Sequence, residues 1–351
     1  MEAGMSITFQ QALDISGDTS KTVLLGNGFS IAGDNIFDYR RLLERAQLDA
    51  NLMRIFAGLD TADFEIVIEQ LNNSAHLVSL FNDENSELSE SLLIAARSLQ
   101  ENFANLITTE HALYQQVFRQ IHNGAEILER NCFSFLSRFE MIFTTSYDLL
   151  LYWTIMLNLQ HHRMNHNTPR IPTDDGFRRG GEDQPLRYFD PTSQKVFYLH
   201  GSLFLLREDI NAIKIERDGE AWMNLLDVIR ANINEDQSPL TVLEGNTRLK
   251  LQRISEHAYL TEAFRALSGI SGDLFIHGNS LNQTDQHIFN AINRSHNVRR
   301  IFISAVSGND ENTMLNDVDA DNMFRQAISR FGNRDNREIV IYDGRSANVW
   351  G

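Results

Sequence analysis

Thr22-Val23-Leu24-Leu25-Gly26-Asn27-Gly28-Phe29-Ser30 is the stretch on which the reading of the fold turns. Four residues without polar alternation read as a strand buried on both faces. They run straight into paired glycines. Glycines just past a strand let the backbone come close to a diphosphate, and a following helix adds the favourable charge of its N-terminus. The same residues also serve as simple turns, where Gly supplies a positive φ.

Outward from this stretch, five more apolar runs end in Gly or polar residues: Met141–Thr144, Val196–Leu199, Leu274–His277, Ile301–Ala305 and Ile339–Tyr342. Amphipathic helical patterns lie between them, at Tyr147–Leu159, Gln283–Ser295 and Asn322–Phe331. Strand, helix and strand in alternation predict an α/β fold: a doubly wound, mainly parallel, six-stranded Rossmann-like sheet with helical insertions. The whole chain, 1–351, reads as a single domain. Apolar residues at helical spacing, from Phe64 to Leu71 and from Leu88 to Leu99, predict an inserted layer of four or five helices over about 45–138. A second insertion, about 205–266, reads as mainly helical too. His161–Gln194 holds four of the five prolines and reads as a long ordered loop, a feature that is usually functional in a compact domain.

Composition narrows the function. The net charge is −16, which argues against a general affinity for nucleic-acid backbones, since that rests on clustered Lys and Arg. Cys132 is the single cysteine, so an internal disulfide and a multi-cysteine metal site are both excluded. No basic segment followed by an apolar run opens the sequence and no apolar stretch approaches a membrane span, so a cytoplasmic protein is expected. His161, His162 and His166 lie close together, but no carboxylate or Cys completes a ligand spacing, and no metal is expected.

The chemistry gathers at strand ends, where α/β folds bind ligands. The second run closes in Thr144-Thr145-Ser146-Tyr147-Asp148. These residues suit a ligand edge, and they equally suit a helix start, with Thr145 or Ser146 capping and Asp148 complementing the dipole. The third run ends in His200-Gly201-Ser202, and a His there can act as a base near neutral pH. The fourth ends in Gly278-Asn279-Ser280-Leu281. Asp38 and Arg40 follow the first glycine loop; standing alone they would be a solvated ion pair.

These four strand ends, in this order, resemble the NAD-binding core of the sirtuin family. The matching residues are Gly26, Gly28, Ser30, Gly33, Ile36, Asp38, Tyr39 and Arg40; Thr144, Thr145, Tyr147 and Asp148; His200 and Gly201; and Gly278, Ser280 and Leu281. The spellings Gly26-Asn27-Gly28-Phe29-Ser30, Phe143-Thr144-Thr145-Ser146-Tyr147-Asp148-Leu149-Leu150 and Tyr198-Leu199-His200-Gly201 look closer to the bacterial sirtuin-like branch. The resemblance implies an NAD glycohydrolase that depletes NAD in defence against phage, with NAD as substrate and no metal. It implies that His200 acts as base and that Ser146 and Asp148 position the ribose or the water. Gly26, Asn27, Gly28, Phe29 and Ser30 would hold the diphosphate, with Asp38, Arg40 and Thr145 nearby. Gly278, Asn279 and Ser280 would hold the adenosine half, with Asp343 near the adenine.

Two departures qualify the likeness. One cysteine cannot build the four-cysteine zinc module of lysine deacylases, so deacylation is disfavoured. Ser146 stands where the family pattern has Asn, which implies slowed turnover. The competing expectation is a binding module that senses NAD or an ADP-ribose-derived signal for a partner. The apolar breadth of Leu88–Ile107 predicts a homo-oligomer or a complex with a partner; the resemblance implies that such a partner would be a defence protein.

Overall fold

The computed structural model describes residues 6–33, 38–81, 86–121, 126–181, 184–215, 225–234, 239–243, 247–308, 314–332 and 337–350. The chain opens with β1 (Ile7–Thr8), α1 (Phe9–Ser16), β2 (Lys21–Leu25), α2 (Gly28–Gly33) and α3 (Tyr39–Arg45). The inserted layer follows as α4 (Ala50–Gly58), α5 (Phe64–Phe81), α6 (Ser86–Ile121) and α7 (Glu126–Leu136), four helices where the periodicity predicts four or five. Then come β3 (Met141–Thr144), α8 (Leu150–Met164), β4 (Phe177–Arg179), β5 (Leu186–Tyr188), β6 (Val196–Tyr198), β7 (Gly201–Glu208) and β8 (Asn211–Lys214). The chain continues through α9 (Leu225–Asn234), β9 (Pro239–Thr241), α10 (Thr247–Ser255) and α11 (Ala258–Ser268). It closes with β10 (Gly272–His277), α12 (Gln286–Arg294), β11 (Val298–Ala305), α13 (Asp317–Phe331) and β12 (Glu338–Asp343).

Among the described residues, seven strands form one large sheet in the order β1-β12-β11-β10-β2-β3-β6, with every pairing parallel. Without the edge strand β1, the remaining six, numbered along the chain, lie in the 3-2-1-4-5-6 order of doubly wound dinucleotide-binding sheets. Alternate side chains feed two cores. Val23, Ile142, Phe275, Phe302 and Val340 enter the core on one face. Leu24, Phe143, Leu274, Ile276 and Ile303 enter the core on the other. A sheet covered on both faces needs apolar residues at both parities, which is why its strands read as unbroken apolar runs.

The structure adds strands to the sequence expectation in three places. The sheet has a seventh strand: β1 adds to β12 at the edge, and two residues are too few to show a pattern. Among its described residues the 205–266 insertion is mainly helical, through α9, α10 and most of α11. It also supplies β8, β9 and half of β7 to a second sheet, ordered β4-β5-β8-β7-β9 with antiparallel pairings, which the sequence did not predict. The prolines of 161–194 likewise flank β4 and β5 rather than a loop alone. The β7–β8 hairpin turns through Asp209 and Ile210, with Asp209 at φ 53° and no glycine, so it lacks the usual turn signature.

No helix among the described residues is long and apolar enough to cross a membrane.

Candidate functional site at the carboxyl edge of the large sheet

The order of the large sheet reverses between β2 and β10, and the two glycine loops follow those two strands. Open α/β folds bind ligands outside the carboxyl ends at such a point. The loops lock together. Gly26 N–H donates to His277 O at 2.9 Å and Gly28 N–H to Gly278 O at 2.8 Å. A Cβ at Gly26 or Gly28 would lie 2.4 or 2.7 Å from Gly278 O, and one at Gly278 (φ +68°) would lie 2.5 Å from Phe29 N. These glycines are therefore required for one backbone to pass against another. The Gly26 and Gly28 amides, expected to face a diphosphate, instead bond the neighbouring loop, because the two loops approach too closely to leave a gap. The Phe29 side chain is buried in the core against Trp350, with ring centroids 5.1 Å apart, and does not face the edge.

The end of β3 is stitched to both neighbours: Thr145 N–H donates to Leu25 O at 3.0 Å and Leu199 N–H to Thr144 O at 2.9 Å. The helix after it begins at Leu150, and its N-cap, Leu149, offers no side-chain bond. Thr145 and Ser146 therefore do not cap it. Asp148 does contribute to the helix start. Its Oδ1 accepts Leu150 N–H at 2.8 Å, and its Oδ2 accepts Ser30 Oγ–H. Burial pushes the Asp148 carboxyl up, against those two bonds. With both oxygens engaged, Asp148 ties α2 to α8 and holds the shape of the edge. Ser146 is different. Its hydroxyl is buried and makes no hydrogen bond among the described residues. A buried polar group of that kind calls for a partner.

His200 lies where the chain leaves β6 in the large sheet and enters β7 in the small one. Val242 N–H donates to its carbonyl at 2.9 Å and fixes the crossing. The ring is 2 % exposed. It stacks beside Tyr147 with centroids 6.0 Å apart, and its Nε2 lies 2.9 Å from His287 Nε2. Asp285 Oδ1 is 3.9 Å from the same nitrogen. Lys250 Nζ lies 3.3 Å from Asp285 Oδ1 and 2.6 Å from Glu65 Oε2, and Tyr147 O–H reaches Glu65 Oε1 at 2.8 Å. Burial, then the Lys250 charge, then His287 hold His200 well below the usual histidine range, with Glu65 opposing. Burial lowers His287 to about 4. Burial would lower Lys250 as well, but Glu65 and Asp285 outweigh it and raise its ammonium. His200 is thus a neutral base at ordinary pH.

The other expected contacts are scattered around this edge. Asn279 Oδ1 accepts Leu281 N–H at 2.7 Å and holds Leu281 at φ 53°, so its amide serves a turn. Ser280 is exposed. Asp343, at the end of β12, caps the following turn by accepting Arg345 N–H at 3.0 Å. Asp38 is half-buried at the start of α3. Ile36 and the side chains of Tyr39 and Arg40 lie outside the described residues.

Glu65, Lys250, Asp285 and His287 escaped the sequence reading. The available signal was His287 itself, an imidazole beside Ile288 on the apolar face of its helix. His200, Asp285 and His287 offer ligand atoms all within 4.8 Å of one another, a spacing a divalent cation could use. The Lys250 ammonium on the same carboxylate oxygen and the direct bond between the imidazoles fit a hydrogen-bonded cluster better than a coordination shell.

No curated protein sequence matches the chain. The profile of one family matches residues 23–350, which takes in the small sheet, the large sheet apart from β1 and the first residues of β2, and every residue of the cluster, and the chain belongs to that family, the domain of unknown function DUF4917.

Proposed function

We propose that this protein binds NAD at the carboxyl edge of the large sheet and hydrolyses its nicotinamide–ribose bond. The observation that supports this most is a pair of groups at the ends of neighbouring strands. The Ser146 hydroxyl is buried without a partner at the end of β3, and the neutral, buried His200 follows the adjacent strand β6. Ser146 follows β3, the neighbour of β2 at the reversal of strand order, and His200 follows the next strand out. In this reaction the C1′–N bond breaks with its electron pair passing to nicotinamide, which leaves neutral and needs no general acid. The centre left behind resembles an oxocarbenium ion. A water oxygen bonds to C1′, and its proton passes to His200. Asp148 holds Ser30 and the start of α8 so that this edge keeps its shape.

Ser146 favours a second reading, an NAD or ADP-ribose-signal sensor, because a hydroxyl offers fewer hydrogen bonds than an amide and reaches less far. The proposal also takes in a cytoplasmic role in depleting NAD against phage. Self-association or a partner defence protein would cover Leu77, Leu80 and Phe81 on α5 and Leu88 and Ile94 on α6, all of them exposed. Incubating purified protein with NAD and measuring free nicotinamide, beside calorimetric binding, separates the readings. Release that disappears in His200→Ala supports hydrolysis. Binding without any release supports the sensor. No binding at all overturns both.

A further inference from the structure

Around His200 lies a second imidazole that the reaction above does not use. His287 Nε2 faces His200 Nε2 at 2.9 Å, with the ring planes 15° apart. At that distance one nitrogen must carry a hydrogen and the other must accept it. The His287 ring is sealed in: its Nδ1 is buried without a well-formed hydrogen bond, although the Thr284 backbone lies close enough to favour a ring N–H. A hydrogen on His287 Nδ1 leaves its Nε2 as the acceptor. A poorly partnered buried nitrogen costs about 1–3 kcal/mol, which an apolar side chain of similar volume would avoid. The imidazole therefore needs a reason to be there, and the bond to His200 supplies one.

We propose that His287 is a positioning residue. It holds His200 as the Nε2–H tautomer, so that His200 Nδ1 is the atom that takes the proton. The proposal rests on the reading of His200 as a base and names the atoms through which it acts. As the water oxygen bonds to C1′, its proton passes to the lone pair on His200 Nδ1. The ring then carries two N–H groups and a positive charge. Its Nε2–H stays donated to His287 Nε2, and the Asp285 carboxylate, 3.9 Å away, stabilises the charge. Lys250 holds the same Asp285 oxygen in place at 3.3 Å, itself anchored by Glu65 and, through it, Tyr147. The proton on Nδ1 later returns to solvent, and no oxidant, reductant or further reactant is needed. His287 thus takes the place that a carboxylate has in a Ser-His-Asp arrangement, the group that orients the base and fixes its tautomer.

The test uses the full chain labelled with ¹⁵N-histidine. Long-range ¹H–¹⁵N correlations report which ring nitrogen carries the hydrogen. The expected result is Nε2–H on His200 and Nδ1–H on His287 near neutral pH. A His200 ring protonated at Nδ1 in its neutral state overturns the proposal. This readout stands whether or not NAD is cleaved, so it fails separately from the proposed function. Kinetics give the second arm. His287→Leu should keep NAD affinity within about threefold while nicotinamide release falls on the order of 10²-fold, the usual contribution of a working base. His287→Gln, which restores an acceptor, should recover part of that loss. Unchanged release in folded His287→Leu, or equal loss in both variants, overturns the proposal.

Discussion

Replacing Lys250 by Met tests whether the cluster beside His200 is a true buried charge network. Lys250 is fully buried, with its ammonium 2.6 Å from Glu65 and 3.3 Å from Asp285. At an effective dielectric of about 20, those distances give gross attractions of roughly 6 and 5 kcal/mol. Most of that offsets the desolvation of three charged groups. Methionine matches the length of the stem but leaves the buried Glu65 and half-buried Asp285 carboxylates without their cation. Removing one partner of a buried pair costs about 3–5 kcal/mol, a large share of a typical total stability of about 5–15 kcal/mol. Urea unfolding followed by fluorescence measures the loss. Adding Glu65→Gln to Lys250→Met removes one stranded carboxylate and should return more than about 1 kcal/mol of it. The His200 ring should also become easier to protonate, because the Lys250 charge is one of the causes that lower it. Lys250→Met within about 1 kcal/mol of the parent protein, or a double variant no more stable than the single one, would refute the network.

Two further outcomes follow from the fold. Burial first, then the Glu65 carboxylate, hold Asp63 up to about 7. Its folded pKa lies above its unfolded value, so it withdraws stability as pH rises from about 4 to about 7. Asp63→Asn keeps the acceptor for Glu65 N–H and should stabilise the protein more at pH 8 than at pH 5, by up to about 2–3 kcal/mol in thermal or urea unfolding. An equal gain at both pH values would contradict it. Gly278→Ala and Gly17→Ala place a side chain at similar positive φ, +68° and +57°, but only the first meets backbone, at 2.5 Å. Gly17→Ala should cost about 1–2 kcal/mol from strain alone. Gly278→Ala should cost clearly more and weaken NAD binding as the loops are forced apart. Equal melting temperatures would remove the loop–loop account.

The large sheet was legible because its strands are buried on both faces and so read as continuous apolar runs, with their polar residues gathered at the carboxyl ends. The first insertion was legible because α5 carries Phe64, Val67, Ile68 and Leu71 at helical spacing, all buried. The second sheet was not. β4, β5, β8 and β9 have three or four residues each, too few for alternation to show. The strand ends were found, but some of their duties were misread: the Gly26 and Gly28 amides bond a neighbouring loop, and Asn279 holds a turn. Glu65, Lys250 and Asp285 resemble ordinary charges along a chain until folding brings α5, α10 and the turn before α12 together behind His200. Nothing local marks such a meeting.

The most direct test is nicotinamide release at saturating NAD from the natural chain, Ser146→Asn and His200→Ala, with bound NAD measured on each. If Ser146 occupies the place of an amide that organises the ribose, restoring that amide should raise release by about 10²–10³-fold, the usual effect of one oriented polar group in a catalytic site. NAD affinity should change little, and His200→Ala should abolish release. Saturable NAD binding, with release that rises in Ser146→Asn and vanishes in His200→Ala, is the predicted result. Failure of the natural chain and Ser146→Asn to bind NAD, or release undiminished in His200→Ala, would contradict the account.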